Sequence, residues 1–204
     1  GGSCDLDLFN LYGAGRNTAY TPLDPTLLSP QVNVINGNVK GSVYGGGEGN
    51  LATTTANPVV NIGYDDATMA AIIADLKAKL GTEHPNINTF VAANAIDSVF
   101  GNVYGGGNDG IVEGNTEVNV YKGTVGKIQY TKTNPTGNYD GIAHVKYDGV
   151  NFGGSVFGGG MGSTSDPNDG RVTGSATVNL KGGHVLYSVY GGGQMGSVGQ
   201  HTEV

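Results

Sequence analysis

The sequence predicts an all-β fold, a parallel β-solenoid or β-helix of repeats about 32 residues long, and three observations lead to this prediction. A short aromatic and glycine motif recurs along the chain, alternating Val-Asn-Val segments stand between its copies, and glycine supplies 38 of the 204 residues. Charged residues form 13% and hydrophobic residues 37% of the chain, which is not the composition of a disordered protein. We therefore expect residues 1–204 to form a single domain, interrupted by one inserted α-helix and one inserted β-hairpin.

The recurring motif sets the period of the predicted repeat. Its copies are LYGAG at 11–15, VYGGG at 43–47, VYGGG at 103–107, VFGGG at 156–160 and VYGGG at 189–193. Successive copies begin 32, 60, 53 and 33 residues apart. The two short intervals agree on one unit, so the two long intervals should each contain an insertion.

Short alternating segments between the copies predict the strands. Val118 and Val120 flank Asn119, and Val178 and Leu180 flank Asn179. This period of two residues is typical of a strand with one buried face. A β-sandwich also uses short strands, but it does not need near-identical residues at a fixed period. A solenoid does, because each unit stacks on the one before it.

The glycine triplets and the aromatic residue before each of them have distinct predicted roles. Equivalent residues of a stacked repeat lie about 4.8 Å apart, and a corner needs either a positive φ or a backbone approach that a Cβ would block. We expect each triplet to form such a corner. The aromatic residues should form a ladder, and they are Tyr44, Tyr104, Phe157 and Tyr190. The ladder either packs internally or is exposed to stack on sugar rings.

The first insertion, at about 64–90, contains a predicted helix over 65–81. Its apolar residues recur at helical spacing and are Met69, Ile72, Ile73, Leu76 and Leu80. Asp65 or Asp66 can cap the first turn, and Gly81 stands where a helix would end. The apolar face should cover the flank of the solenoid, with a partner-binding surface as the alternative.

The second insertion, at 127–152, predicts a projecting β-hairpin. Two alternating runs at 128–132 and 142–147 flank a Pro-Thr-Gly-Asn turn at 135–138. Repeat proteins often place insertions on their binding face, so the hairpin is the predicted place for specific contacts. Its tyrosines, the candidate contact residues, are Tyr130, Tyr139 and Tyr147.

Charge and apolar patterning limit the classes of partner. The chain has a net charge of -7 and an isoelectric point near 4.8, with only two arginines, Arg16 and Arg171. Nucleic-acid binding depends on clustered Lys and Arg, so we expect none. No apolar run is long enough to cross a membrane, so we expect no membrane insertion. The single Cys4 stands in a Gly-Gly-Ser-Cys sequence that could be a lipidation site or the start of a repeat.

Catalytic and cofactor motifs give a weak signal. None of the five copies has the Gly-Lys-Ser/Thr of a phosphate-binding loop, and the histidines lack metal-ligand spacing. We expect no enzymatic activity and no cofactor. The segment at 105–112 partly matches a calcium-binding repeat, which makes Asn108 and Asp109 weak candidates for calcium ligands. The segment at 164–170 is a second weak candidate, with an Asp-rich turn as the alternative. Other copies lack the aspartate, so no array of ligands is expected.

Residues 156–196 resemble the Val-Tyr/Phe-Gly-Gly-Gly repeats of very large secreted or surface-anchored proteins of gut Bacteroidales and some other anaerobic bacteria. The resemblance covers most of the chain outside the insertions, and it departs at Ala14 and at 66–98. It implies an extracellular β-solenoid of the bacterial cell surface, adhesin-like or fibre-like. The implied partners are neighbouring repeats of the same or identical chains, and a surface protein or glycan of the host or of bacteria.

Three functions are compatible with the sequence. The first is a non-catalytic stalk or fibre segment that displays its insertions for adhesion. A carbohydrate-binding or polysaccharide-cleaving β-helix and a self-assembling filament subunit are the alternatives. The last residues, at 201–204, align with 115–118 in mid-repeat, so we expect the chain to be a fragment of a longer repeat protein.

Overall fold

The computed structural model describes residues 7–24, 29–35, 37–80, 98–129, 144–145 and 153–204. In chain order the strands of this part are β1 (Asp7–Leu8), β2 (Leu11–Tyr12), β3 (Gln31–Val34), β4 (Asn38–Val39), β5 (Val43–Tyr44), β6 (Thr53–Thr54), β7 (Val59–Ile62), β8 (Ser98–Val99), β9 (Val103–Tyr104), β10 (Ile111–Val112), β11 (Thr116–Val120), β12 (Thr124–Val125), β13 (Ile128–Gln129), β14 (His144–Val145), β15 (Val156–Phe157), β16 (Ala176–Leu180), β17 (His184–Val185), β18 (Val189–Tyr190) and β19 (Thr202–Glu203). The described residues also include one helix, α1 (Asp66–Leu80), between β7 and β8.

Fifteen of the strands form three parallel sheets of five strands each. The sheet orders are β1-β4-β8-β12-β17, β2-β5-β9-β15-β18 and β3-β7-β11-β16-β19. Each sheet takes one strand from each of five successive segments of the chain. We call each such set of three strands a rung. The rungs, from first to fifth, are β1/β2/β3, β4/β5/β7, β8/β9/β11, β12/β15/β16 and β17/β18/β19. Each sheet is open, with the first rung at one edge and the fifth at the other.

The register places equivalent residues of the repeat beside one another. Tyr44 pairs with Tyr104 although an insertion separates them, and Val118 pairs with Val178. The predicted period therefore corresponds to one rung for each unit. Each insertion lies between two strands and not within one, so the pairing of the strands in the large sheets is not interrupted.

The core is built almost entirely of valine. Its buried residues come from all three large sheets and are Val32, Val34, Val39, Val43, Val60, Ile62, Val99, Val103, Val118, Val120, Val125, Val156 and Val178. β-branched side chains suit a pleated surface, and full burial of each contributes about 1.5–3 kcal/mol. The predicted buried face of Val118 and Val120 is confirmed, since neither side chain is exposed.

The predicted helix is confirmed, from Asp66 to Leu80. Asp65 is its cap, because the Thr68 backbone N–H donates to Asp65 Oδ1 at 2.9 Å. This hydrogen bond from Thr68 lowers the pKa of the Asp65 carboxyl. Lys122 forms an ion pair with Asp66 and so links the helix to the turn after β11. The rest of the predicted insertion, 81–90, lies outside the described residues.

In the second insertion, strands β13 and β14 pair antiparallel, whereas the other pairs of named strands are parallel. Ile128 of β13 lies opposite Val145 of β14, and Gln129 lies opposite His144. This register is the one that a hairpin turn centred on 135–138 requires. The turn and the remainder of the insertion lie outside the described residues, as does Cys4.

The prediction of a strand-based fold with parallel sheets and one helix is confirmed. Among the described residues, no helix has the length and apolarity that a membrane crossing needs.

Candidate functional site: the side-chain ladders

An aromatic ladder runs across all five rungs. It includes Tyr12 of the LYGAG copy in addition to the four predicted residues, because all five occupy the second position of a strand in one parallel sheet. Neighbouring ring centroids lie 4.9–5.0 Å apart with interplanar angles of 3–10°. The rings therefore stack face against face along the direction in which the rungs pair.

The inner rings of the ladder are buried. Tyr44 is 4% exposed, Tyr104 1% and Phe157 7%. Both faces of each ring lie against another ring of the ladder, so no face is open to a sugar. These contacts favour internal packing over glycan stacking at the three inner positions. Tyr190, on the fifth rung, is 45% exposed.

The tyrosine hydroxyls contact the residue that follows a glycine triplet two rungs further along the chain. The pairs are Tyr12 with Asn108 at 3.4 Å, Tyr44 with Met161 at 3.5 Å, and Tyr104 with Gln194. Triplet and ladder are thus parts of one arrangement. The candidate calcium ligand Asn108 uses its Nδ2 atom in this arrangement, as a donor to Tyr12.

Burial raises the pKa of the two inner tyrosine hydroxyls of the ladder. Loss of solvent raises the pKa of the Tyr104 hydroxyl to about 12, and the hydrogen bond from Asn102 opposes this shift. The pKa of Tyr44 is also raised, first by burial and then by the neighbouring Tyr104 and Tyr12 hydroxyls. Both side chains are therefore held in their neutral form well above neutral pH.

An asparagine ladder accompanies the aromatic one, and the sequence analysis did not predict it. Asn61 Nδ2 donates to Asn33 Oδ1 at 2.8 Å, and Asn119 Nδ2 donates to Asn61 Oδ1 at 3.0 Å. Asn179 Nδ2 continues the series to Asn119 Oδ1 at 3.0 Å. The sequence signal was the asparagine in every Val-Asn-Val/Ile/Leu segment, a residue type that is otherwise depleted in strands.

Polar side chains in the turns also connect successive rungs. The Asn57 side-chain oxygen accepts the backbone N–H of Asn115 at 2.8 Å. The Asn115 oxygen in turn accepts the backbone N–H of Ser175 at 2.8 Å. Backbone donors that the turns leave without a sheet partner are satisfied in this way.

The glycine triplets are required by close approach of the backbone and not by a positive φ. The chain bends at each triplet, in agreement with the predicted corner. A Cβ on Gly106 would lie 2.7 Å from the backbone nitrogen of Gly160 in the next rung. A Cβ on Gly159 would lie 2.8 Å from the nitrogen of Gly193. A Cβ at these two positions would require the neighbouring backbone to shift. The first rung has Ala14 at the equivalent position, and there the backbone bond to the Gly46 oxygen is 3.3 Å long, against 3.1 Å for Gly106 to Gly159.

Of the first calcium candidates, Asn108 donates to Tyr12, and Asp109 lies near two further carboxylates. Asp109 adopts a φ of 58°, and its pKa is raised by burial and by the nearby carboxylates of Asp169 and Glu48. Glu48 is paired with Arg16 at 3.1 Å. In the described part of the chain, no group of three or more His, Cys, Asp or Glu side chains is placed to hold a metal ion.

The second calcium candidate, the Asp-rich segment at 164–170, forms a turn closed by its own side chains. The Asp166 carboxylate accepts the backbone N–H of Asn168 at 2.8 Å. Ser163 Oγ donates to the Asp169 carboxylate at 2.6 Å. The first of these bonds is that of an Asx turn, and the segment is the Asp-rich turn described in the sequence.

The hairpin tyrosines Tyr130, Tyr139 and Tyr147 lie outside the described residues, so their role in partner binding stays a prediction.

No protein-family model, curated protein or solved structure matches this chain. Within the chain itself, both faces of the three inner ladder rings are covered by other rings. The side-chain amides of Asn61 and Asn119 are bonded at both the oxygen and the nitrogen.

Proposed function

We propose that the chain is a β-solenoid segment with a non-catalytic structural role, a rigid stalk or fibre of a bacterial cell-surface protein that displays its insertions for contact. The observation that carries this proposal is the use of the repeated aromatic and amide side chains. At the inner rungs they stack on, or bond to, the equivalent residue of the next rung. Side chains used in this way support a scaffold and leave little polar chemistry for a substrate.

Rigidity follows from the number of interactions that join each pair of rungs. Tyr104, for example, stacks on Tyr44 and Phe157, while Asn119 bonds to both Asn61 and Asn179. Stacked aromatic and asparagine ladders add to backbone pairing in other stacked β-structures. Displacing one rung would break all of these contacts together.

The positions of the insertions support a display role. Helix α1 lies between β7 and β8 in the chain, and the antiparallel pair β13/β14 lies between β12 and β15. Neither excursion interrupts the register of the large sheets. Insertions at such positions can vary without loss of the scaffold, which is how repeat proteins build their binding faces.

A deletion variant tests whether binding depends on the hairpin and stability on the remaining scaffold. Removing residues 127–153 would leave Gly126, Gly154 and Ser155 between Val125 and Val156. Three residues also separate Val39 from Val43, so the shortened connection has the natural length. We expect the deletion variant to keep the urea unfolding midpoint of the full chain and to lose binding to surface proteins or glycans in arrays and pull-down assays.

The carbohydrate alternative makes a different prediction, at the fifth rung. Tyr187 and Tyr190 are 61% and 45% exposed there and could stack on a sugar. Saturable glycan binding that survives the deletion and disappears in Tyr187→Ala or Tyr190→Ala would favour that alternative. Turnover of acidic polysaccharides by the full chain would contradict the structural role.

A further inference from the structure

The first insertion leaves the scaffold through a tight turn at Gly63, the residue that follows β7. Gly63 has a φ of 66°, in the left-handed region that favours glycine. A Cβ at this position would lie 2.8 Å from the Cβ of Lys122 in the third rung. The Gly63 backbone nitrogen donates to the Val34 oxygen of the first rung at 2.8 Å. The point at which the insertion begins is therefore fixed between two rungs.

Tyr64, the next residue, packs on a tyrosine of the third rung. Its ring centroid lies 6.0 Å from that of Tyr121, with an interplanar angle of 32°. Tyr64 is partly buried, and this burial raises the pKa of its hydroxyl. The same hydroxyl accepts from Asn61 Nδ2 at 3.5 Å. Tyr64 thus contacts an aromatic ring of the scaffold and an amide of the asparagine ladder.

A lysine of the fourth rung also contacts Tyr121. Lys181 Nζ donates to the Tyr121 hydroxyl at 3.2 Å and lies 4.8 Å from the centre of the ring. The Tyr121 backbone nitrogen donates to the Ile62 oxygen of the second rung at 2.9 Å. The ring against which Tyr64 packs is therefore held by the rungs on both sides of its own.

A second contact joins the first turn of α1 to the same turn of the third rung. Asp66, the first residue of α1, forms an ion pair with Lys122, the residue that follows Tyr121. The Lys122 backbone nitrogen donates to the Ile62 oxygen at 3.2 Å. The ion pair is exposed, and an exposed ion pair is weak when it acts alone. Here it acts together with the aromatic contact of Tyr64.

We propose that Tyr64, Tyr121 and Lys122 are positioning residues that fix the direction in which α1 leaves the scaffold. This inference rests on the proposed display function and names the residues that serve it. A single contact would leave the helix free to swing about the turn at Gly63. Two contacts at separate residues remove this freedom, because both must break before the helix can turn.

The exposure of the helix residues agrees with one fixed orientation. Met69, Ile72 and Ile73 are partly buried, whereas Asp75 and Ala78 are exposed. The apolar side of an amphipathic helix is the side that packs on the protein. The side of α1 that a partner can reach is therefore the opposite one, which includes Asp75 and Ala78.

Spin labels can measure whether α1 has one direction. Gln31→Cys on β3 and Ala78→Cys on α1 would each carry a nitroxide, in a chain with Cys4→Ser. Both label positions are exposed. Double electron–electron resonance measures the distribution of distances between the two labels. We expect one narrow distribution, and a clearly broader one when Tyr121→Ala and Lys122→Ala are added together.

Matched variants separate positioning from folding. Tyr121→Phe keeps the ring and Lys122→Arg keeps the charge, so both should retain the narrow distribution. Lys127→Ala removes a lysine that contacts Phe100 and not the helix, and it should also have no effect. Lys122→Ala alone removes only an exposed side chain and should broaden the distribution without loss of the urea midpoint. High salt should broaden the wild-type distribution in the same direction, because salt screens the exposed ion pair.

Two results would overturn the inference. One is a broad distribution for the wild-type side chains, and the other is a distribution that stays narrow in the chain with Tyr121→Ala and Lys122→Ala.

A second label pair, Gln31→Cys with Glu203→Cys, distinguishes this failure from failure of the structural function. These two positions lie in one column of a sheet, four strand spacings of about 4.8 Å apart. A narrow scaffold distance beside a broad helix distance would refute the positioning role and leave the rigid stalk standing. A broad scaffold distance would contradict the stalk itself.

Discussion

Asn119 donates from its side-chain nitrogen to the side-chain oxygen of Asn61 at 3.0 Å, although 58 positions separate the two residues in the chain. Helix α1 and the rest of the first insertion lie between them. The bond is possible because β7 and β11 are neighbours in a parallel sheet, in register. A repeat interrupted by an insertion of this length therefore still stacks unit on unit.

Removal of this amide should destabilise the fold. Asn119 is 4% exposed. Asn119→Ala would leave Asn61 Oδ1 without its donor, and it would remove the Asn119 oxygen to which Asn179 Nδ2 donates. A buried polar group without a partner costs about 1–3 kcal/mol. We expect a loss of this size in the free energy of unfolding, measured by urea denaturation.

The control for Asn119→Ala is Asn33→Ala, because Asn33 is exposed and ends the ladder. We expect this variant to lose clearly less stability. Equal losses at the two positions would show that the ladder amides act independently of burial.

Alanine in place of Gly106 should destabilise the chain much more than alanine in place of Gly192. The new Cβ at Gly106 would lie 2.7 Å from a backbone nitrogen that cannot move without its rung, whereas the Cβ at Gly192 would enter open space. Overpacking of this kind costs about 1–3 kcal/mol or more, and an unconstrained surface change stays within about 0.5 kcal/mol. The urea unfolding midpoints of the two variants would measure both effects. Similar midpoints for the two variants would contradict the close-approach argument.

Alkaline pH should destabilise the protein through the buried tyrosines. Because the pKa of Tyr104 is raised to about 12 in the folded chain, its contribution to stability is complete below the ordinary value of 10.0 and is lost as the pH rises from there. One such group changes the free energy of unfolding by up to about 1.4 kcal/mol per pH unit in that window. Tyr104→Phe should reduce this slope, and Phe157 indicates that the ladder accepts phenylalanine.

Urea unfolding of the wild type and of Tyr104→Phe between pH 8 and about 12 would measure the two slopes. Both proteins should be compared with their own stability at pH 7, because the variant also loses the hydrogen bond from Asn102. Coincident slopes above pH 10 would rule out Tyr104 as a source of alkaline sensitivity.

Asp109→Asn should stabilise the chain at neutral pH. The raised pKa of Asp109 means that its ionised form is unfavourable in the folded state, next to Asp169 and Glu48. This cost is fully present above the folded pKa and disappears as the pH falls to the ordinary value of 3.8. The advantage of Asp109→Asn in the free energy of unfolding should therefore shrink on acidification.

Asp109→Ala is the control for the backbone at this position. Asparagine tolerates the left-handed φ of 58°, whereas alanine adds strain of about 1 kcal/mol. An Asp109→Asn variant no more stable than the wild type at neutral pH, or an Asp109→Asn advantage that grows on acidification, would contradict the electrostatic explanation.

Much of the fold was predictable from local patterns. The motif spacing identified the units that pair, and the apolar spacing at Met69, Ile72 and Ile73, with its acidic cap, predicted α1 nearly to the residue. The ladder itself was predicted at four positions, but Tyr12 was missed because LYGAG departs from the motif. The hairpin tyrosines remain a prediction from position alone.

The sequence by itself determined the period, the strand segments, the glycine positions and the helix, because each depends on residues close together in the chain. Only the tertiary structure decided that Tyr44 and Tyr104 are buried and that Asn61 and Asn119 bond to one another. It also decided that the hydroxyls of Tyr12, Tyr44 and Tyr104 each contact a residue two rungs ahead. These relations depend on the register of strands that are tens of residues apart. A periodic sequence specifies which units can stack, but the direction in which a side chain points and its partner across rungs are set by the packing of all three sheets together.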